Sequence, residues 1–211
     1  MLPAFKCIPP ALDFIARSPR IAVHGFILPG HVSAIIGSRP YEFLSEQFDI
    51  PGCVTGFDPV DILQGILNLL QQISAGEASI TIEYRRVVKP EGNTNAQRLL
   101  QQVFTVVDSQ WRGIGEIEQS GLTFNEHYTR FDVGSRYPIS VPQVPEPKGC
   151  ICGSVLLGVK LPHDCTLFGD ACTPLTPVGP CMVSSEGSCA AYYKYGDGRR
   201  HRKKRRRKRS R

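Results

Sequence analysis

Apolar and polar positions along residues 21–107 follow two rhythms, one close to period two and one close to period 3.6. The run Ala22-Val-His-Gly-Phe-Ile-Leu28 predicts a buried strand closed by Pro29-Gly30. Short helical stretches follow over Val32–Ile36 and Tyr41–Phe48, and Val54–Phe57 predicts a second strand that stops at Asp58-Pro59. The next segment carries the strongest helical pattern in the chain. Val60, Leu63, Leu67 and Leu70, joined by Ile62, Ile66, Leu69 and Ile73, hold the helical period for four turns. Asp58 is placed to cap the first amides, Pro59 loses no hydrogen bond at the first helical position, and Asp61 suits the positive end of the dipole. Gly76 supplies a left-handed stop. Ser79–Val88 alternates as a strand does, and Thr94–Val107 reads as another helix.

Strands alternating with helices imply a parallel sheet covered on both faces. Only two or three such strands are visible, and Phe5–Ala16 reads as a helix whose preceding strand is missing. The expectation is an α/β fold: part of a Rossmann-like parallel-sheet domain, read as the later part of a longer fold. That domain and its connecting region take residues 1–137. From about Gly113 glycine, proline and aromatic residues replace the helical period. Residues 138–148, PISVPQVPEPK, form a stiff extended linker. A small irregular cysteine-rich module is expected over 149–196, and a basic disordered tail over 197–211.

Charge changes the picture only at that tail. The 25 Lys and Arg against 19 Asp and Glu give a net charge of +6. Eleven of the cations lie in RRHRKKRRRKRSR, residues 199–211, so residues 1–198 are net acidic. An acidic body argues against a folded nucleic-acid surface, which needs clustered Lys and Arg. The tail alone is a self-repelling extension incidental to the chemistry. No apolar run is long enough to span a membrane, and the first residues carry no secretory signal pattern. A cytoplasmic, reducing setting is the expectation.

Six of the eight cysteines fall in the module: Cys150, Cys152, Cys165, Cys172, Cys181 and Cys189. A reducing compartment disfavours disulfides, and thiolates are soft ligands suited to zinc or iron–sulfur clusters. Zinc-ribbon C-x2-C knuckles and ferredoxin spacings are both absent. Spacing alone therefore leaves the metal open. Cys7 and Cys53 read as small core residues.

The stretch CGSVLLGVKLPHDCTLFGDACTPLTPVGPCMVSSEGSCAAYYKYG resembles the C-terminal end of the hydrogenase maturation family HypD. That family carries cysteines spaced C-x12-C-x6-C-x16-C, which Cys152, Cys165, Cys172 and Cys189 reproduce. The likeness extends through ILPGHVSAIIG (27–37), GFDPVDILQGI (56–66), IEYRRVV (82–88) and DSQWRGIGEIEQSGL (108–122). The resemblance implies a [4Fe–4S] cluster on those four cysteines and a role, with HypC and HypE, as the scaffold on which the Fe(CN)2CO unit of [NiFe] hydrogenases is built. It implies a redox-active accessory protein and no turnover enzyme. A stand-alone electron-transfer module, or a zinc-stabilised interaction module, is the alternative.

The family's CGGHTH, PGCPVC and GFETT motifs do not occur in this sequence. The resemblance assigns iron-holding and disulfide-forming thiols to those motifs, so this chain matches the C-terminal half only. A separate polypeptide carrying the other half is one way to complete it. Two further residues are candidates by resemblance. Glu186 in SSEG is implied to face the iron site, with helix capping as its plain alternative. His31 in PGHVS lies just past a strand end, where open α/β sheets place ligands. A loop histidine bonded to a carbonyl is its plain alternative. Cys150 and Cys181 are extra thiols, His163 is expected to face solvent or a sulfide, and Trp111 is expected to pack in the core.

Overall fold

The computed structural model describes residues 3–137 and 147–196. Most of the linker expected over 138–148 lies outside those residues, as does the whole basic tail. The described chain falls into two compact units. One comprises the chain up to Gln110 together with the stretch from Glu116; the other comprises Trp111–Gly115 and the cysteine-rich segment.

The first unit is built on a parallel three-stranded sheet. Strand β2 (Phe26–Pro29) pairs with β3 (Gly52–Thr55), and β3 pairs with β4 (Ile80–Ile82). The register sets Leu28 beside Val54 and Val54 beside Ile82. This is the α/β arrangement expected from the alternating pattern, although the strands are shorter than their apolar runs. Only Ile80–Ile82 of Ser79–Val88 joins the ladder, and the chain then turns as Val88 N–H bonds back to the Tyr84 carbonyl.

Both faces of the sheet are covered, by different chemistry. On one face Leu28 and Val54 pack with Tyr41, Leu44, Ile50 and Val88 in a hydrophobic core. Helix α1 (Ile8–Ala16) and helix α3 (Phe43–Phe48) close over it, with helix α2 (Gly30–Ile36) following β2 directly. The other face receives α4 (Pro59–Ala75), the long helix read from the sequence. Gly76 ends it at φ +68°, the left-handed stop that favours glycine.

The orientation of α4 is reversed from what its pattern suggests. The residues it buries are Asp61, Gly65, Leu69 and Gln72, while Val60, Leu63, Ile66, Leu67, Leu70 and Ile73 are all exposed. The cause is a ladder of polar bonds on the inner side. Gln72 Nε2 donates to Asn68 Oδ1 (2.8 Å), Thr81 Oγ1 donates to the same oxygen (2.8 Å), and Ser79 N–H and Oγ both donate to Gln72 Oε1. Buried polar groups must be paired, and here Asn68 and Gln72 bond each other and reach Thr81 and Ser79 across the helix–strand contact.

Three other expectations are corrected. Phe5–Lys6 is not helical but forms a short strand, β1, antiparallel to β6 (Gly115–Phe124). The helix predicted over 94–107 stops at Val103 as α5 (Thr94–Val103), capped by the Asn93 side chain. Phe104–Trp111 is strand β5, because the β-branched run Thr105-Val-Val107 favours extended backbone. It forms the sheet β1-β6-β5 with β6, a hairpin placed where the sequence read as irregular, and the short helix α6 (Val133–Arg136) comes later in the chain. Trp111 is half-buried at the hairpin turn, where its carbonyl accepts from Ile114 N–H.

Candidate functional site

Two places gather chemistry-bearing side chains. The first is the carboxyl end of the parallel sheet in the first unit. Pro29-Gly30 leaves β2 so close to β3 that a Cβ at Gly30 would lie 2.2 Å from the Thr55 carbonyl oxygen. That approach brings His31, in the first turn of α2, against Phe57 (ring centroids 4.6 Å apart) and within 6.3 Å of the Tyr84 ring. His31 is exposed and lies tilted against these two rings; its expected alternative, a bond to a carbonyl, is not among its contacts.

Arg86 packs beside them. Its guanidinium lies over Tyr84 at 4.5 Å and donates to both oxygens of Asp61, at 2.9 and 2.7 Å, and to Asp58 Oδ2 at 2.7 Å. Asp58 makes no side-chain cap on α4; the capping role expected of it is replaced by this ion pair. The Arg86 hydrogen bonds hold the Asp61 carboxyl below the usual carboxylate range, and Asp61 in turn raises Arg86. Gly56 is required here, since a Cβ would meet Asp61 Oδ2 at 2.1 Å. Arg86 and Tyr84 are the residues that sequence reasoning missed, although both stand in the IEYRRVV stretch.

The second place is the cysteine-rich unit. Helix α7 (Cys152–Leu156), helix α8 (Pro180–Val183) and helix α9 (Ser188–Tyr195) each carry a cysteine in the first turn. Cys165 follows a 3-10 turn over Pro162–Asp164, and Cys172 closes a tight turn by donating its N–H to the Leu167 carbonyl. All six cysteines line one small cavity, whose remaining walls include Val155, Leu167, Phe168 and Met182. Met182, Cys172 and Ala190 form the buried core beneath it. The four residues expected to ligate a cluster are therefore brought together, and Cys150 and Cys181 join them.

One pairing corrects the sequence reading. Cys152 and Cys181 are joined by a disulfide, against the expectation that a reducing setting disfavours disulfides and that Cys181 is a spare thiol. The starts of α7 and α8 set their Cα atoms 6.3 Å apart, within disulfide range. As it stands, this form presents no set of three or more His, Cys, Asp or Glu side chains poised on a metal among the described residues. The donor chemistry nonetheless fits a thiolate-held metal, because the cavity lining holds thiols and apolar side chains with no carboxylate, lysine or histidine.

Electrostatics in the cavity are dominated by burial. Cys189 sits in the first turn of α9, where the helix dipole favours a thiolate. Desolvation outweighs that, reinforced by Cys165, Cys172 and Cys150, and its thiol is pushed up to about 11. Two sulfurs already have hydrogen-bond partners. Val178 N–H donates to Cys172 Sγ (3.4 Å), and Cys165 Sγ donates to the Gly149 carbonyl (3.6 Å). His163 lies outside the cavity lining and bonds the Tyr192 hydroxyl through Nδ1 (3.1 Å), which replaces the expected solvent or sulfide contact. Glu186 is exposed, and its own N–H is held by Ser184 Oγ (3.2 Å); it does not cap α9. Elsewhere, Cys53 is fully buried between β3 and α4, as expected, and Cys7 is half-buried.

No helix among the described residues is long and apolar enough to cross a membrane. A family model named HypD, described as the hydrogenase formation hypA family, matches residues 1–196. Similar proteins include one named for hydrogenase expression and formation in Methanocaldococcus jannaschii, 46% identical over 189 residues, covering 89% of this chain and 52% of that protein. The hydrogenase maturation factor HypD of Cupriavidus necator is 43% identical over 195 residues (89% and 52%), and that of Escherichia coli 43% over 187 residues (88% and 50%). The chain spans about half the length of these relatives. On that match over residues 1–196 and these identities, the chain belongs to the HypD family of hydrogenase formation proteins.

Proposed function

We propose that this chain serves as a redox-active iron–sulfur scaffold in assembling the Fe(CN)2CO group of [NiFe] hydrogenases. The observation that carries the reading is the meeting of six cysteines in one cavity within a chain of the HypD family. Cys152, Cys165, Cys172 and Cys189 would hold a [4Fe–4S] cluster once the Cys152–Cys181 disulfide is reduced. Bound there, the cluster supplies one-electron transfer at a potential tuned by hydrogen bonds to sulfur and by solvent access.

The chain's own residues prepare that environment. Val178 N–H directs a hydrogen bond at Cys172 Sγ, which stabilises negative charge on that sulfur. Leu167, Phe168 and Met182 restrict water, and the His163–Tyr192 bond ties α9, which carries Cys189, to the turn before Cys165. The iron under assembly is cargo. Glu186, exposed three residues before Cys189, offers a carboxylate to hold or deprotonate a ligand of that iron. His31 offers a second polar group at the sheet end. HypC and HypE are the partners in this reading, and the protein works in the cytoplasm as an accessory factor without turnover of its own.

The test is a chimera in which residues 149–196 replace the matching stretch of the E. coli relative, in a host lacking its own HypD. Restored hydrogenase activity is expected, with loss on Cys165→Ser and none on Cys181→Ser. A folded chimera that restores nothing would contradict the reading.

A further inference from the structure

The turn between β5 and β6 has no role in the account so far. Its residues, Trp111–Gly115, belong to the compact unit that holds the cysteines. Gly113 lies against the disulfide. A Cβ there would stand 3.5 Å from Cys152 Sγ, 3.7 Å from Cys152 Cβ and 3.2 Å from Cγ of Pro180, the residue just before Cys181. In return, a Cβ at Gly153 would meet the Gly113 carbonyl oxygen at 2.8 Å, so the turn also rests on the start of α7. Gly113 holds φ +93°, a conformation that favours glycine.

The bridge beneath is shut off from solvent, with Cys152 3% exposed and Cys181 7%. Reduction requires a thiolate to reach one of its sulfurs. A bridge this deeply buried is reached only after part of the unit opens. Helices α7 and α8 carry the two cysteines and cannot withdraw from them while the bridge holds. Met182, next to Cys181, is fixed in the buried core with Cys172 and Ala190. The turn is different. It comes from chain well before Cys152, it meets the bridge through a glycine with no side chain to interlock, and Arg112 and Gly115 on either side are exposed. It can lift without disturbing that core.

We propose that the Trp111–Gly115 turn is a cover over the Cys152–Cys181 bridge, and that its lifting controls the entry of a dithiol reductant. With the turn closed, the oxidised pair is protected. With it raised, one thiolate of the reductant attacks a sulfur of the bridge, the S–S bond breaks, and a mixed disulfide forms. The reductant's second thiol then displaces the protein sulfur. The reductant leaves as a disulfide, having given up an electron pair, and Cys152 and Cys181 each take up a proton as thiols. No step involves a metal, so the inference stands apart from the iron–sulfur reading.

The experiment treats the whole chain, prepared aerobically and free of metal, with dithiothreitol under native conditions. Samples are quenched by alkylation, and mass spectrometry reads the modified fractions of Cys152 and Cys181. Gly113→Leu drives a side chain against Cys152 and Pro180 and should speed reduction about tenfold or more by favouring the lifted turn. Gly115→Leu is the matched comparison. Its φ of +90° is nearly the same, but nothing lies within 4 Å of its Cβ, so the rate should change far less. Trp111 is the only tryptophan in the chain, and acrylamide quenching of its fluorescence should rise in Gly113→Leu. Replacing residues 112–114 by Asn-Gly, which shortens the hairpin, should give the same fast reduction. Cys53, fully buried in the first unit, should stay unmodified throughout, and circular dichroism checks that the helices persist. If a leucine variant exposes Cys53, the shortened hairpin decides. Equal rates in the parent, Gly113→Leu and the shortened hairpin would overturn the cover. So would an equal acceleration in Gly115→Leu, or an acceleration in Gly113→Leu without a change at Trp111.

Discussion

Gly65 of α4 stands directly over Thr55 of β3: a Cβ at Gly65 would lie 2.3 Å from Thr55 Cγ2 and 3.5 Å from Cys53 Sγ. This contact sets the distance between helix and sheet, and it orients the helix. Gly65 allows this close approach, and with the polar bonds of Asn68 and Gln72 on the same side the wide apolar stripe is turned outward. Gly65→Ala is therefore expected to destabilise the first unit. Helix propensity favours alanine by about 1 kcal/mol, but overpacking against a buried β-branched side chain costs about 1–3 kcal/mol. A net loss of up to about 2 kcal/mol in urea denaturation is the expected outcome; a stabilised variant would contradict the packing described.

Arg86 and Asp61 give a pH dependence with a definite sign. The folded-state carboxyl of Asp61 is depressed by the Arg86 hydrogen bonds. Its contribution to stability is present above the unfolded carboxylate value of about 3.9 and is lost as pH falls through the lower folded value. Arg86→Gln removes the partner and leaves a buried carboxylate. Denaturation at pH 6.5 should show the variant less stable than the parent, with the gap closing below about pH 4. A gap that stays constant down to pH 3 would rule out the ion pair as its source.

The disulfide predicts a thiol count. In aerobically prepared, metal-free protein under denaturing conditions, six thiols should titrate without reductant and all eight after reduction. Cys181→Ser should give seven in both conditions, because Cys152 is then released. The same substitution should lower the stability of the oxidised cysteine-rich unit by about 3 kcal/mol, the usual effect of opening a loop of some thirty residues. Eight thiols in the unreduced parent would contradict the Cys152–Cys181 pairing.

Much of this molecule was legible in its sequence, and the failures have physical causes. The parallel sheet, α4 with its glycine stop, and the convergence of Cys152, Cys165, Cys172 and Cys189 all followed from pattern or resemblance. The inward face of α4 did not. Periodicity locates an apolar stripe but cannot say which surface it meets, and here Asn68 and Gln72 found partners on Thr81 and Ser79 that fixed the helix the other way. The β5–β6 hairpin was hidden because Leu99–Val107 keeps an apolar rhythm while its propensity changes from helix to strand at Phe104. Arg86 escaped notice because the carboxylates it binds lie 25 and 28 residues earlier. Cys181 read as a spectator because sequence spacing does not reveal that two short helices open side by side.

The most direct measurement is iron, zinc and acid-labile sulfide content after strictly anaerobic, reducing purification of the whole chain. The account predicts about four irons with matching sulfide per chain, retained in Cys53→Ser and lost in Cys165→Ser. Zinc without sulfide, or equal iron in the two variants, would contradict the assignment of the thiol cavity as an iron–sulfur site.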